Sequence, residues 1–149
     1  KRKITMKPED KLKLDNQLCF AVYVASKEII KQYKPFLDPL GLTYTQYITL
    51  LALWEKSDIS VKELGQRLFL DSGTLTPLLK KLEAMNLIER VRSSDDERLI
   101  IVSLTKKGLD LKKEVIDIPD KIICSTNLNI ENAVSLKKHL DILLDGMCK

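Results

Sequence analysis

The chain has 149 residues, 44% hydrophobic and 31% charged, which is enough apolar content to bury one domain core and too much for a disordered polymer. Lys plus Arg total 25 against 21 acidic side chains, a formal charge of +4 that is compatible with a nucleic-acid partner without demonstrating one. The single histidine, His139, excludes a His-rich metal cluster, and the three cysteines Cys19, Cys124 and Cys148, with no CxxC among them, exclude a zinc ribbon and a disulfide-stapled secreted scaffold.

No apolar run approaches the roughly 18 residues of a membrane span. The basic start KRKITMKPEDKLK has no apolar core of a signal peptide, so a cytoplasmic protein is expected, with Met6 a candidate natural start. From about Glu9 to Tyr33 there is no Gly or Pro, and Leu18, Val22, Ala25 and Ile29 recur at spacings of three and four, predicting one long helix. Pro35, Pro39 and Gly41 then punctuate the chain. Thr43 or Thr45 is placed to cap a second helix through Trp54. Ser60-Val61-Lys62-Glu63 is a capping-box pattern opening a short third helix to about Phe69. Asp71 or Ser72 caps a fourth, which carries Leu75, Leu78, Leu79 and Leu82 and ends near Asn86.

The period then changes. Ile88–Arg92 and Leu99–Leu104 are short β-prone runs around the polar turn Ser93-Ser94-Asp95-Asp96-Glu97 and predict a hairpin. Thr105 caps a fifth helix reaching Ile118, where Pro119 interrupts it, and a last helix runs from about Ile130 to Met147. The expected fold is therefore mainly α with a small β-hairpin: a winged helix-turn-helix at about 43–105, flanked by long dimerisation helices at about 9–36 and 106–149 of one domain. No block of like charge supplies a disordered basic arm, so DNA binding has to come from this shaped module.

The stretch DSGTLTPLLKKLE at Asp71–Glu83, with Leu87-Ile88 and the Asp96-Glu97-Arg98 wing closing on Leu104-Thr105, resembles the MarR family of regulators. LDNQLCF at Leu14–Phe20, QYKP at Gln32–Pro35 and LTYTQY at Leu42–Tyr47 resemble its organic-hydroperoxide-sensing, OhrR-like branch, over about Leu14 to Ile118. The resemblance implies a homodimeric repressor of an inverted-repeat operator, with no cofactor and no enzymatic activity.

Ser72, Gly73, Thr74, Thr76, Pro77, Lys80 and Lys81 form the first turns of the expected recognition helix. Small and hydroxyl side chains there let the backbone approach a groove, while the lysines meet phosphates. The plainer role is a capped surface helix, against which Pro77 argues by giving up an interior hydrogen bond. Arg98 at the hairpin tip is placed to enter a minor groove. Asp96, two residues earlier, is placed to orient it, and Arg90 and Arg92 lie on the first strand. The alternative there is a solvated hairpin with an exposed ion pair.

For Cys19, inside the expected first helix, the plain role is a small buried hydrophobe. A reactive thiol has to ionise. At nearly three turns from the expected helix start the helix's own dipole is too far to help. Phenol hydroxyls of Tyr33 and Tyr44 are candidate donors to a thiolate. Tyr33 lies 14 residues on, about 21 Å along the axis, so the pairing requires a second chain. The resemblance implies the same: a sensing cysteine beside two tyrosines of the partner subunit, matching Tyr33 and Tyr44 here, with organic hydroperoxide as oxidant. Two-cysteine members of the branch place a resolving thiol where Cys124 falls, in the segment joining the last two expected helices, whereas one-cysteine members form mixed disulfides with small thiols. A buried Cys124 packed beside Ile122 and Ile123 is the alternative, and Cys148 reads as a bystander near the chain end. Two rival functions stay open at this point: a repressor induced by a small phenolic ligand, and a thiol peroxidase.

Overall fold

The computed structural model describes residues 7–147, so Met6 and Cys148 lie outside the described residues. Among the described residues, seven α-helices and three short strands follow in the order α1 (Leu18–Leu37), α2 (Tyr44–Glu55), β1 (Ile59–Ser60), α3 (Val61–Leu68), α4 (Ser72–Ala84), β2 (Ile88–Arg92), β3 (Ile100–Leu104), α5 (Lys106–Val115), α6 (Ile118–Ser125) and α7 (Ile130–Met147). Four helix starts are fixed by side-chain caps of the expected kind. Thr43 accepts from the Gln46 amide while the Gln46 side chain accepts from Thr43 N–H, a complete capping box. Ser60, Asp71 and Thr105 each accept from the amide three residues on.

The core sits where α2, α3 and α4 meet the sheet. Leu50, Leu53, Leu64, Leu75, Leu79, Leu82, Ile88 and Val102 are all buried there. The hairpin pairs Ile88 with Leu104 and Arg92 with Ile100, and β1 adds Ile59 opposite Val102, giving the antiparallel order β1-β3-β2. At two residues, β1 is too short to leave an alternation in the sequence; only its pairing with β3 makes it a strand. Among the described residues, no helix is long and apolar enough to cross a membrane and no cluster of His, Cys, Asp or Glu is built for a metal.

The ends of the chain depart from expectation in three places. The first helix begins at Leu18, not near Glu9. Residues 8–10 and 14–16 form separate 3-10 turns, because Asn16 Nδ2 donates to the Asp10 carbonyl and Gln17 Nε2 donates to the Lys11 and Lys13 carbonyls. These side chains occupy acceptors that a continuous helix would use, and so fold the segment back on itself. At its other end α1 runs through Pro35, which was expected to break it, and stops at Leu37. Pro119 does not merely interrupt: it occupies the first turn of α6, where its missing N–H leaves no hydrogen bond unmade. Cys124 is thus a helical residue, and in the single chain it is exposed and not packed in the core with Ile122.

Candidate DNA interface and redox site

The helix-turn-helix is held together by a close approach that the sequence reading did not single out. A Cβ on Gly65 of α3 would stand 2.9 Å from the Leu70 carbonyl oxygen and 3.4 Å from a Leu75 methyl of α4. The turn closes with Leu70 N–H on the Gly65 carbonyl at 3.0 Å, and Phe69 takes a left-handed φ of 54° to allow it. The first turn of α4 then projects outward. Asp71 receives the Thr74 amide (2.8 Å) and faces its hydroxyl (3.3 Å), contacts that hold its carboxyl below the usual range and keep it ionised. A Cβ on Gly73 would stand 3.1 Å from the capping Asp71 Oδ1, a tight contact that glycine avoids. Ser72, Gly73, Thr74, Pro77, Lys80 and Lys81 are exposed and Thr76 half-buried, while Leu75, Leu78, Leu79 and Leu82 face the core. The helix passes through Pro77 unbroken.

The wing treats its three arginines differently. Arg98 carries 90% of its side chain in the open, gripped in a two-pronged pair by Asp96 (Nε–Oδ1 2.9 Å, Nη2–Oδ2 3.0 Å), while Asp96 also accepts the Arg98 amide. The guanidinium beside it holds the Asp96 carboxyl below its ordinary range, so the grip persists at neutral pH. Arg92 is exposed at the end of β2. Arg90 is turned the other way: half-buried, it donates through Nε (3.1 Å) and Nη2 (2.6 Å) to Glu83 of α4. It braces the wing against α4 and is not held out to a groove.

At the far end, Tyr33 of α1 and Tyr44 of α2 come together with ring centroids 4.8 Å apart. Burial, then the neighbouring Tyr44 and Tyr47, push Tyr33 up to about 12; burial likewise raises Tyr44, so both phenols stay protonated donors. A cleft of about 400 Å³ opens beside them, with Ile30, Leu37 and Leu42 as its apolar lining. Tyr47, which the sequence reading passed over, joins the same cluster; the signal was its spacing of three from Tyr44 on a capped helix.

Cys19 is exposed and does not meet these tyrosines within the chain. The later helix start, at Leu18, also changes its setting. Cys19 is the second residue of α1, in its first turn and not nearly three turns along it. Gln17, at the cap position, makes no side-chain cap; its Nε2 donates to the Lys11 and Lys13 carbonyls.

Residues 31–115, more than half of the chain, match the family of transcriptional regulators described as SarA/Rot. The organic hydroperoxide resistance transcriptional regulator of Bacillus subtilis (strain 168) is 49% identical over 138 residues, 93% of this chain and 94% of its own. Reduced AbfR bound to DNA, a protein of Staphylococcus epidermidis, has a similar structure at TM-score 0.78 and 32% identity, over 96% of this chain and 100% of that one. A disulfide-formed structure of AbfR matches at TM-score 0.64 and 34% identity, over 91% of this chain and 96% of that one. With these matches extending over the helix-turn-helix, the wing and the flanking helices, the chain belongs to the MarR family of winged-helix transcriptional regulators, in the branch of the organic hydroperoxide regulators.

Proposed function

We propose that this protein represses transcription as a homodimer on an inverted-repeat operator and lets go when an organic hydroperoxide oxidises Cys19. The observation that carries the reading is a divided constellation: Tyr33 and Tyr44 meet near one end of α1 while Cys19 stands exposed at the other, so only a second copy brings a thiol to the phenols. The same surface argues for that copy. No residue of α7 is buried, and Ile130, Val134 and Ile142 on it, with Leu18 and Ile29 on α1, face solvent in the single chain. The DNA half is supported by reduced AbfR, whose similar structure was solved bound to DNA.

The chemistry is a two-electron transfer. The Cys19 thiolate attacks the terminal oxygen of ROOH and the O–O bond breaks. Sulfur keeps the OH as a sulfenic acid, and RO⁻ takes a proton and departs as the alcohol. Tyr33 and Tyr44 donate to the thiolate, and the apolar cleft beside them suits the organic group R over the small polar hydrogen peroxide. Cys124, exposed on α6 at the edge of an apolar groove against α7, is the resolving thiol. Its sulfur attacks the sulfenic sulfur of the other copy, forming a disulfide and releasing water. That bond requires α-carbons within about 7 Å and therefore shifts the helices that space the two wings. The test is a gel shift on the upstream DNA with and without cumene hydroperoxide. Parent protein releases DNA and Cys19→Ser does not; release by Cys19→Ser equal to the parent's overturns the assignment.

A further inference from the structure

We infer that Tyr47 is a positioning residue of the peroxide sensor: its ring is the buried floor on which Tyr33 and Tyr44 are set, so that both hydroxyls point to where a second copy presents its thiol. This rests on the reading of Cys19, Tyr33 and Tyr44 given above. Tyr47 is 1% exposed, whereas the other two rings are only half-buried. Its ring lies 5.5 Å from that of Tyr33 at 45° and 6.4 Å from that of Tyr44 at 45°, while Tyr33 and Tyr44 meet each other at 59°. Tilted contacts at these distances favour particular ring planes, and three of them closing a triangle leave each ring little freedom to turn. Tyr33 and Tyr44 sit on different helices, and Tyr47 touches both rings from within the core. It is the one ring of the three that can hold the other two without itself facing the opening.

The electrostatics run the same way. Tyr47 and Tyr44 both push the ionisation of Tyr33 upward, and Tyr47 is itself raised by burial and by Tyr44. None of the three hydroxyls hydrogen-bonds within the described residues, and no buried side-chain oxygen is left unpaired there, so the Tyr47 hydroxyl keeps a contact with the surface. It does not fix the cluster by a hydrogen bond of its own. The ring does the positioning, which predicts that phenylalanine replaces tyrosine at this place and an aliphatic side chain does not.

The experiment compares Tyr47→Phe and Tyr47→Leu, with Tyr47→Met, a flexible unbranched side chain without a plane, in place of the leucine variant should that one fail to fold. Three quantities are read on the reduced dimer: DNA affinity, the rate at which cumene hydroperoxide converts Cys19 to a sulfenic acid trapped by a diketone, and the ultraviolet titration of Tyr33. Tyr47→Phe reacts at nearly the parental rate. Tyr47→Leu or Tyr47→Met binds DNA as the parent does but reacts roughly tenfold or more slowly, the scale expected when donors lose their alignment. In these aliphatic variants the Tyr33 phenol also titrates earlier than in Tyr47→Phe, which removes the same neighbouring phenol charge but keeps the ring. A parental rate in a folded aliphatic variant, or a Tyr33 titration there equal to that of Tyr47→Phe, overturns the inference. Should the parent itself form no Cys19 sulfenate, the sensing assignment fails, and the Tyr33 titration still decides whether Tyr47 sets the cluster.

Discussion

Replacing Arg98 by alanine isolates what the wing contributes to DNA binding. The side chain is almost wholly in solvent and, among the described residues, hydrogen-bonds only Asp96, so its loss should leave the core and the melting temperature nearly unchanged. Its effect is confined to the charge presented to DNA. A dimer carries two wings, and if each Arg98 displaces one counterion, the slope of log affinity against log salt becomes shallower by about 2 × 0.9, or about 1.8. Raising salt from about 50 to about 200 mM is about 0.6 of a decade, so over that range the parent loses about tenfold more affinity than Arg98→Ala. Fluorescence anisotropy on a labelled operator measures both slopes. Arg90→Ala is the internal contrast, because its guanidinium is already committed to Glu83: there the salt slope stays near the parental value while the fold loses its brace between β2 and α4. Equal slopes for parent and Arg98→Ala, or a larger change for Arg90→Ala, would refute the assignment of the groove contact to the wing tip.

Gly108→Ala places a methyl against the Leu87 carbonyl oxygen and 3.1 Å from a Leu104 methyl, so it should destabilise by about 1–3 kcal/mol in thermal melts, whereas Gly146→Ala, with open space around it, should not. Between pH 10.0, the ordinary tyrosine value, and about 12, the unfolded chain releases the Tyr33 proton while the folded chain keeps it. The stability due to this group is present in full below that window and falls as pH rises through it; melts across the window should show a smaller fall in Tyr33→Phe. Mild organic peroxide should give a covalent dimer on a non-reducing gel that disappears in both Cys19→Ser and Cys124→Ser. A dimer surviving Cys124→Ser but lost in Cys148→Ser assigns resolution to the tail cysteine instead.

What local chemistry dictates was legible in the residues alone. The starts of α2 to α5 follow from hydroxyl or carboxylate caps that bind an amide three positions on, so Thr43, Ser60, Asp71 and Thr105 announce them without any tertiary context. The hairpin follows from two short β-prone runs and their turn, and the Asp96–Arg98 pair from a spacing of two. The family resemblance supplied the candidate sensing residues, and helix geometry alone required two chains to join them.

Contacts between residues distant in sequence decided the rest. Tyr47 belongs with Tyr33 because α1 packs on α2, and Arg90 is spent on Glu83 because β2 crosses the end of α4. The strand β1 exists only through β3, and Gly65 and Gly108 are required only where another segment's carbonyl comes within reach of a side chain. The start of α1 was misjudged for the same reason: Asn16 and Gln17 reach six residues back to carbonyls that a helix would otherwise use. That fold-back is what puts Cys19 in the first turn, a setting that periodicity cannot reveal because it records which residues share a face and not where the hydrogen bonds begin.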